Sequence, residues 1–246
     1  MERQGKTLTM GQSLNLQLHH LKTIRQDSEY DLSGEDEYFK HANFIVSLGN
    51  NYMSREFRSF DLDENNTKIL RFLLYYFNNS RLAESVFPNE DYRIHKNLLL
   101  IGEPGTGKTI DMQIFSDYLR LTQNPNFFLN LSVTQMMNYY KIHGHIDRYT
   151  YNELSNSGSM EGKPVHVCLN DIGLETENQK SYGTSLDSVI DEFLYARYEI
   201  YQQHFIKYHM TSNLTVGELK ERFGGRLIDR FKSFNVLVLT GESRRK

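Results

Sequence analysis

From Asn97 onward, short apolar runs alternate with longer segments whose apolar residues recur three or four positions apart. Leu98 to Ile101 reads as a buried strand. Ile110, Ile114, Tyr118 and Leu121 then keep one helical face over Thr109 to Leu121. Asn124-Pro125-Asn126 turns the chain into a second strand, Phe127 to Leu131, and Val133 to Ile142 reads as a helix broken by His143-Gly144-His145. The polar stretch from Asp147 to Gly162 reads as mobile. It is followed by a strand from Pro164 to Asp171 and by a helix on Leu186, Val189, Ile190, Phe193, Leu194 and Tyr201. A strand over Phe205 to Met210, a largely helical Thr215 to Phe234 and a last strand over Val236 to Leu239 complete the series. Apolar strands that alternate with helices predict an α/β fold with a parallel sheet covered on both faces.

Upstream, Ile69, Leu70, Leu73, Leu74 and Phe77 line one face of a helix over Thr67 to Asn78, and residues 79 to 96, with Pro88, read as a loop. Residues 1 to 54 are polar, with apolar clusters at Leu14 to Leu21 and Tyr38 to Val46 joined by an acidic link from Asp27 to Glu37. They predict an N-terminal extension with one or two short helices, either a flexible tail or a segment that docks a partner. The expected boundary therefore divides 1–54 from a domain over 55–246.

Composition narrows the class. A chain of 246 residues is long enough for one sizeable domain with appended segments or at most two small domains, and its formal net charge of −3 argues against a generally basic nucleic-acid protein. The single cysteine, Cys168, cannot form an internal disulfide. The N-terminus lacks the apolar core of a signal peptide, and the greasiest stretch, Ile69 to Phe77, is short and broken by Arg71. A cytoplasmic protein with no membrane partner is expected.

The chemistry is concentrated in Gly102-Glu103-Pro104-Gly105-Thr106-Gly107-Lys108-Thr109, between a strand and a helix. This is the phosphate-binding P-loop pattern in the context it requires. Its glycines let backbone N–H groups turn around an anion, and the helix start adds the positive end of its dipole. Lys108 is placed for the β- and γ-phosphates of a nucleoside triphosphate, and the Thr109 hydroxyl for Mg²⁺. Such a site needs an acid at the end of a neighbouring strand, and Asn170-Asp171 stands there, with Asp171 as the acidic residue. The following strand ends in Thr211-Ser212-Asn213, where a polar side chain is placed to touch the γ-phosphate or its water. Arg222, Arg226 and Arg230 supply cations, the last two a helical turn apart; a solvated helix face is the alternative.

These residues carry a resemblance. The P-loop, Asn-Asp-Ile-Gly-Leu-Glu at 170–175, Tyr-Ala-Arg-Tyr-Glu at 195–199, Thr-Ser-Asn-Leu at 211–214, Glu-Arg-Phe-Gly-Gly-Arg-Leu-Ile-Asp-Arg at 221–230 and Gly-Glu-Ser at 241–243 together resemble the DnaC/IstB group of AAA+ ATPases. These are helicase loaders and the helper ATPases of transposons. The resemblance covers roughly residues 55 to 246. It implies a five-stranded AAA+ core without a C-terminal lid, ATP bound between self-assembled subunits, and contact with single-stranded or duplex DNA. The partner it implies is a replicative helicase hexamer or a transposase. By the same resemblance, Lys108 and Thr109 are the Walker A pair, Asp171 belongs to Walker B, Asn213 is the sensor and Arg230 the arginine finger, with Arg226 a turn before it. Arg197 matches an arginine of the group, and Phe57 and Phe60 fall where aromatic residues often lie near the adenine. One departure stands out: the group has two acids where this chain has Asn170 and Asp171. An amide offers an oxygen to Mg²⁺ without charge, which implies slow hydrolysis, and Glu175 is a candidate second carboxylate. A loader, a transposition helper and a weakly hydrolysing nucleotide-binding adaptor are the three functions in play.

Overall fold

A computed structural model describes residues 32–150, 164–173, 180–181, 184–223 and 229–244. In chain order the elements are α1 (Glu35–Met53), α2 (Thr67–Phe77), α3 (Ala83–Val86), β1 (Asn97–Ile101), α4 (Lys108–Leu121), β2 (Phe128–Ser132), α5 (Val133–His143), α6 (Asp147–Thr150) and β3 (His166–Ile172). A two-residue antiparallel pair, β4 (Lys180–Ser181) and β5 (Thr184–Ser185), leads into α7 (Leu186–His204), β6 (Tyr208–Ser212), α8 (Val216–Arg222) and β7 (Phe234–Val238).

Five strands form one sheet in the order β2-β3-β6-β1-β7, and every adjacent pair is parallel. Since β1 is flanked by β6 and β7, the P-loop leaves from an interior strand, one in from the β7 edge. The apolar runs are continuous because both faces are covered, and alternate residues serve opposite layers. Leu98 and Leu100 of β1 face a core with α1, α2 and α4, while Leu99 and Ile101 face another with α5 and α7. Cys168 lies in the first layer between Val167 and Leu169 of the second.

α1 lies before the expected boundary at residue 54 and yet shares the core with residues after it. Leu32, Ile45 and Met53 are buried, and the buried His41 ring nitrogen lies 2.7 Å from the Tyr118 hydroxyl of α4. The Asn78 amide donates to that hydroxyl at 3.0 Å, and the Asn124 amide donates to the Asn78 carbonyl oxygen at 3.0 Å. Tyr52 donates to the Asp117 carboxylate nearby. A buried polar network of this kind fixes the seat of α1 as well as its burial, because each lost partner leaves an unsatisfied group.

Several element boundaries differ from expectation. The fourth main strand begins at Tyr208 rather than Phe205, because α7 continues to His204 and Phe205 caps it in the left-handed region (φ 55°), its N–H donating to Tyr201 O at 2.9 Å. The segment from Thr215 is helical to Arg222, where Phe223 turns extended, and is helical again at Asp229 and Arg230 and in the 3-10 turn Phe231–Ser233; the first helix starts on a capping box in which Thr215 and Glu218 satisfy each other's backbone N–H. β7 starts at Phe234, two residues early, since it pairs along all of β1. The expected loop over 79–96 contains the single turn α3. The apolar cluster at Leu14 to Leu21 and most of the polar stretch from 147 to 162 lie outside the described residues, as do Gly224 and Gly225.

Candidate nucleotide-binding site

The loop between β1 and α4 is closely packed from behind. A Cβ on Gly102 would fall 2.2 Å from Leu239 O, and one on Gly105 would meet the Ser243 hydroxyl at 2.2 Å, so both positions require glycine for close approach as well as for their positive φ. The tail that crowds them is hydrogen-bonded to the loop. Leu239 N–H donates to Ile101 O at 2.8 Å and Arg244 N–H donates to Gly105 O at 2.9 Å. Lys108 is the first residue of α4 and is buried; its ammonium donates to Gly102 O at 2.6 Å and Glu103 O at 2.9 Å. The cation is thus held inside the loop at a helix N-terminus, where an anion is favoured twice over. Glu103 and Pro104 are exposed at the tip, and the Thr106 hydroxyl donates to Glu103 O at 2.9 Å.

The sheet brings the acid to this loop. The β3–β6 register shifts between Leu169 and Ile172, and at that bulge Asp171 takes φ 65°, a conformation that costs a non-glycine residue on the order of 1 kcal/mol. The consequence is that Thr109 donates to Asp171 Oδ1 at 3.4 Å. A hydroxyl and a carboxylate at the mouth of a phosphate loop are the hard oxygen donors that Mg²⁺ takes, with its remaining positions filled by phosphate and water. Among the described residues no group of three His, Cys, Asp or Glu could hold a metal by itself.

Asp171 is braced from three strands. Its N–H donates to the Thr211 hydroxyl of β6 at 2.9 Å, and that hydroxyl donates to Asn170 Oδ1 at 3.3 Å. The Asn170 amide in turn donates to Asn130 Oδ1 at 3.1 Å and Leu131 O at 3.2 Å on β2. Asn170 is buried and its polar atoms are engaged within the sheet, whereas the Asp171 carboxylate faces Thr109. Ser212, paired with Ile101 and Ile172, ends β6, so the half-buried Asn213 follows at the level of Gly102 and beside the Asp171 bulge.

Other expected residues lie elsewhere. Phe57 is 99% exposed, and Phe60 packs on α1 at Gly49, where a Cβ would fall 2.3 Å from its ring. Arg197 is fully buried, donating to Tyr149 O at 2.8 and 2.6 Å and to Val165 O at 2.8 Å, so it ties α7 to α6 and to the approach to β3. Burial pushes its pKa down to about 9. Arg222 is half-buried beside Phe223. Arg230 lies on α7, not near its own loop, and Arg226 and Glu175 are outside the described residues.

Two groups at the site were not anticipated. Arg244 forms an ion pair with Asp63 at 2.6 Å, and its carbonyl accepts from Arg58. Asp111, one turn into α4, is buried with Oδ2 unpaired among the described residues; burial and then nearby Asp63 push its pKa up to about 7 against the pull of Arg244. An aspartate in the first turn of the P-loop helix was the available signal for the second. The first had none, because 181 residues separate its partners.

A strand-loop-helix P-loop on the fourth of five parallel strands defines the class: this is a P-loop α/β protein. Among solved structures the chain is similar to the DnaC helicase loader, with 16% identity and a TM-score of 0.49 over 74% of this chain and 93% of that one. It is also similar to AMPPCP-bound DnaA from Aquifex aeolicus, with 14% identity and a TM-score of 0.45 over 74% of this chain and 49% of that one, so it spans about half of that protein. No protein-family model matches the chain, and no curated protein matches it. No helix among the described residues is long and apolar enough to cross a membrane. Identities of this size leave function to be argued from the site.

Proposed function

We propose that this protein is a DnaC-like AAA+ ATPase that binds ATP with Mg²⁺, hydrolyses it slowly and uses the cycle to load a replicative helicase onto DNA. The observation that carries the nucleotide part is the 3.4 Å contact between Thr109 and Asp171 at the mouth of the P-loop. Lys108 and the loop amides hold the phosphates, Thr109 and Asp171 hold the metal directly or through water, and Asn213 orients the attacking water. Held there, Mg²⁺ would supply neutralisation of the phosphate charge. The helicase part rests on the sequence resemblance over residues 55 to 246, and residues 1–54 are assigned to partner docking. Because α1 belongs to the core, the deletion that tests docking ends at residue 31, before the buried Leu32.

Native mass spectrometry of the full chain and of the chain lacking residues 1–31, each mixed with the helicase of its source with and without ATP, tests the proposal. A complex of defined stoichiometry that depends on ATP and is lost in Lys108→Ala is expected. If no complex forms under any nucleotide condition, the loader fails, and the transposition helper is tested on duplex DNA with transposase. A second reading, the weakly hydrolysing adaptor, is favoured by Asn170, whose engagement with Asn130 and Leu131 leaves one carboxylate at the loop.

A further inference from the structure

Arg230 lies four residues before Phe234, and Phe234 pairs with Asn97 at the first residue of β1. The P-loop leaves β1 after Ile101, at the other end of a five-residue strand, roughly 15 Å away. An arginine side chain spans about half of that, so Arg230 cannot serve the phosphate site of its own chain. What it does touch is α7: its guanidinium carbon lies 3.9 Å from the Tyr195 ring centroid and 4.8 Å from that of Tyr198. These tyrosines stand three residues apart and therefore on one helical face. Arg230 has no ion pair among the described residues, and its Nη1 is buried without a hydrogen-bond partner there. Nearby Asp229 pairs with Lys232 instead.

This is an unusual way to hold a half-buried cation. A carboxylate would fix the guanidinium but also neutralise it and compete with any incoming anion. Ring faces attract the cation through their quadrupole and leave its charge and donors available. A buried donor without a partner among the described residues is open to an acceptor from elsewhere.

We propose that Tyr195 and Tyr198 are positioning residues that hold Arg230 as a cationic donor toward the nucleotide phosphate of a second copy of this chain. The proposal rests on the ATPase reading and adds to it the device that presents the arginine. Tyr198 and Arg197, adjacent on α7, then have separate tasks: Arg197 ties α7 to Tyr149 and Val165, and Tyr198 faces Arg230.

The test is steady-state ATP hydrolysis by the full chain, followed by mixing of variants. Tyr195→Leu with Tyr198→Leu keeps apolar bulk but removes both ring faces, and kcat is expected to fall about tenfold or more with KM little changed. Phe at both positions keeps the faces and should stay within about twofold of the parent. Mixing the Leu variant, whose P-loop is intact, with Lys108→Ala, whose Arg230 and tyrosines are intact, should restore activity, which a merely structural defect in the Leu protomer would not allow. Should Arg230→Ala abolish hydrolysis while the Leu variant stays active, the tyrosine role is overturned and the ATPase reading stands. Hydrolysis that survives Arg230→Ala overturns the proposal together with the arginine's assignment, and a parent chain without Lys108-dependent hydrolysis overturns the ATPase reading and this proposal with it. If the Leu variant does not fold by thermal melting, the single substitutions Tyr195→Leu and Tyr198→Leu decide by the same mixing criterion.

Discussion

The Arg244 guanidinium donates to the Asp63 carboxylate at 2.6 Å, joining the tail after β7 to the turn before α2, and the Arg244 N–H reaches Gly105 O from the same position. The back of the phosphate loop is therefore closed by two segments from opposite ends of the domain. Both side chains are about a third exposed, so the pair contributes at most about 1 kcal/mol. Arg244→Ala should speed hydrogen exchange of the Arg244 and Leu239 amides up to about fivefold while leaving the strand amides of β3 unchanged. Unchanged exchange at both tail amides would show that the ion pair does not secure the tail.

Asp171→Asn keeps the shape of the bulge and removes the charge that faces Thr109. ATP binding in EDTA should be little affected, whereas Mg²⁺-dependent hydrolysis should fall about 100-fold. Isothermal titration and a phosphate-release assay separate the two. Hydrolysis at the parent rate would remove Asp171 from the site.

The raised pKa of Asp111, about 7, gives a pH dependence of definite sign. Its folded state holds a proton that the unfolded chain releases near pH 4, so its contribution is complete below that pH. It declines as pH rises toward 7 and stays low above it. Asp111→Asn removes the penalty of burying the charge, and should raise the melting temperature at pH 8 by more than at pH 5. A shift of equal size at both values would place the ionised carboxylate in contact with a compensating cation.

Asn170→Asp replaces an amide donor between two acceptors, Asn130 Oδ1 and Leu131 O, with a group that donates only when protonated. A loss of about 1 to 3 kcal/mol in urea unfolding is expected, with hydrolysis rising little. A large gain in hydrolysis would instead mean that position 170 reaches the nucleotide.

Arg197→Met removes the donors of the Tyr149 and Val165 carbonyls in a fully buried place. Denaturant unfolding should show a loss of about 3 kcal/mol or more, far beyond that of an exposed arginine.

Much of this protein was legible along the chain. The run from Leu98 to Ile101 and the glycine-rich turn after it depend on local spacing and backbone freedom, and they appear as a strand, a P-loop and a helix. The helical faces of α2, α5 and α7 were equally readable, because period and turn residues are local properties. Strand starts were harder: Phe205 is apolar and β-prone, but its place is decided by how far α7 runs before a left-handed cap.

What the tertiary structure alone decided are the contacts whose partners are far apart in sequence. Spacing marked Asp171 as an acid near the loop, but the β3 bulge and Thr211 turn its carboxylate toward Thr109 while Asn170 turns into the sheet. Helical spacing grouped Arg226 with Arg230, whereas packing put Arg230 between two tyrosines of α7. Residues 35–53 looked like part of a polar extension, and become core because His41 and Ile45 find α4 and its neighbours. Sequence periodicity records which face of an element is apolar; which other face it meets, and which polar group lies opposite, is settled only when the layers close.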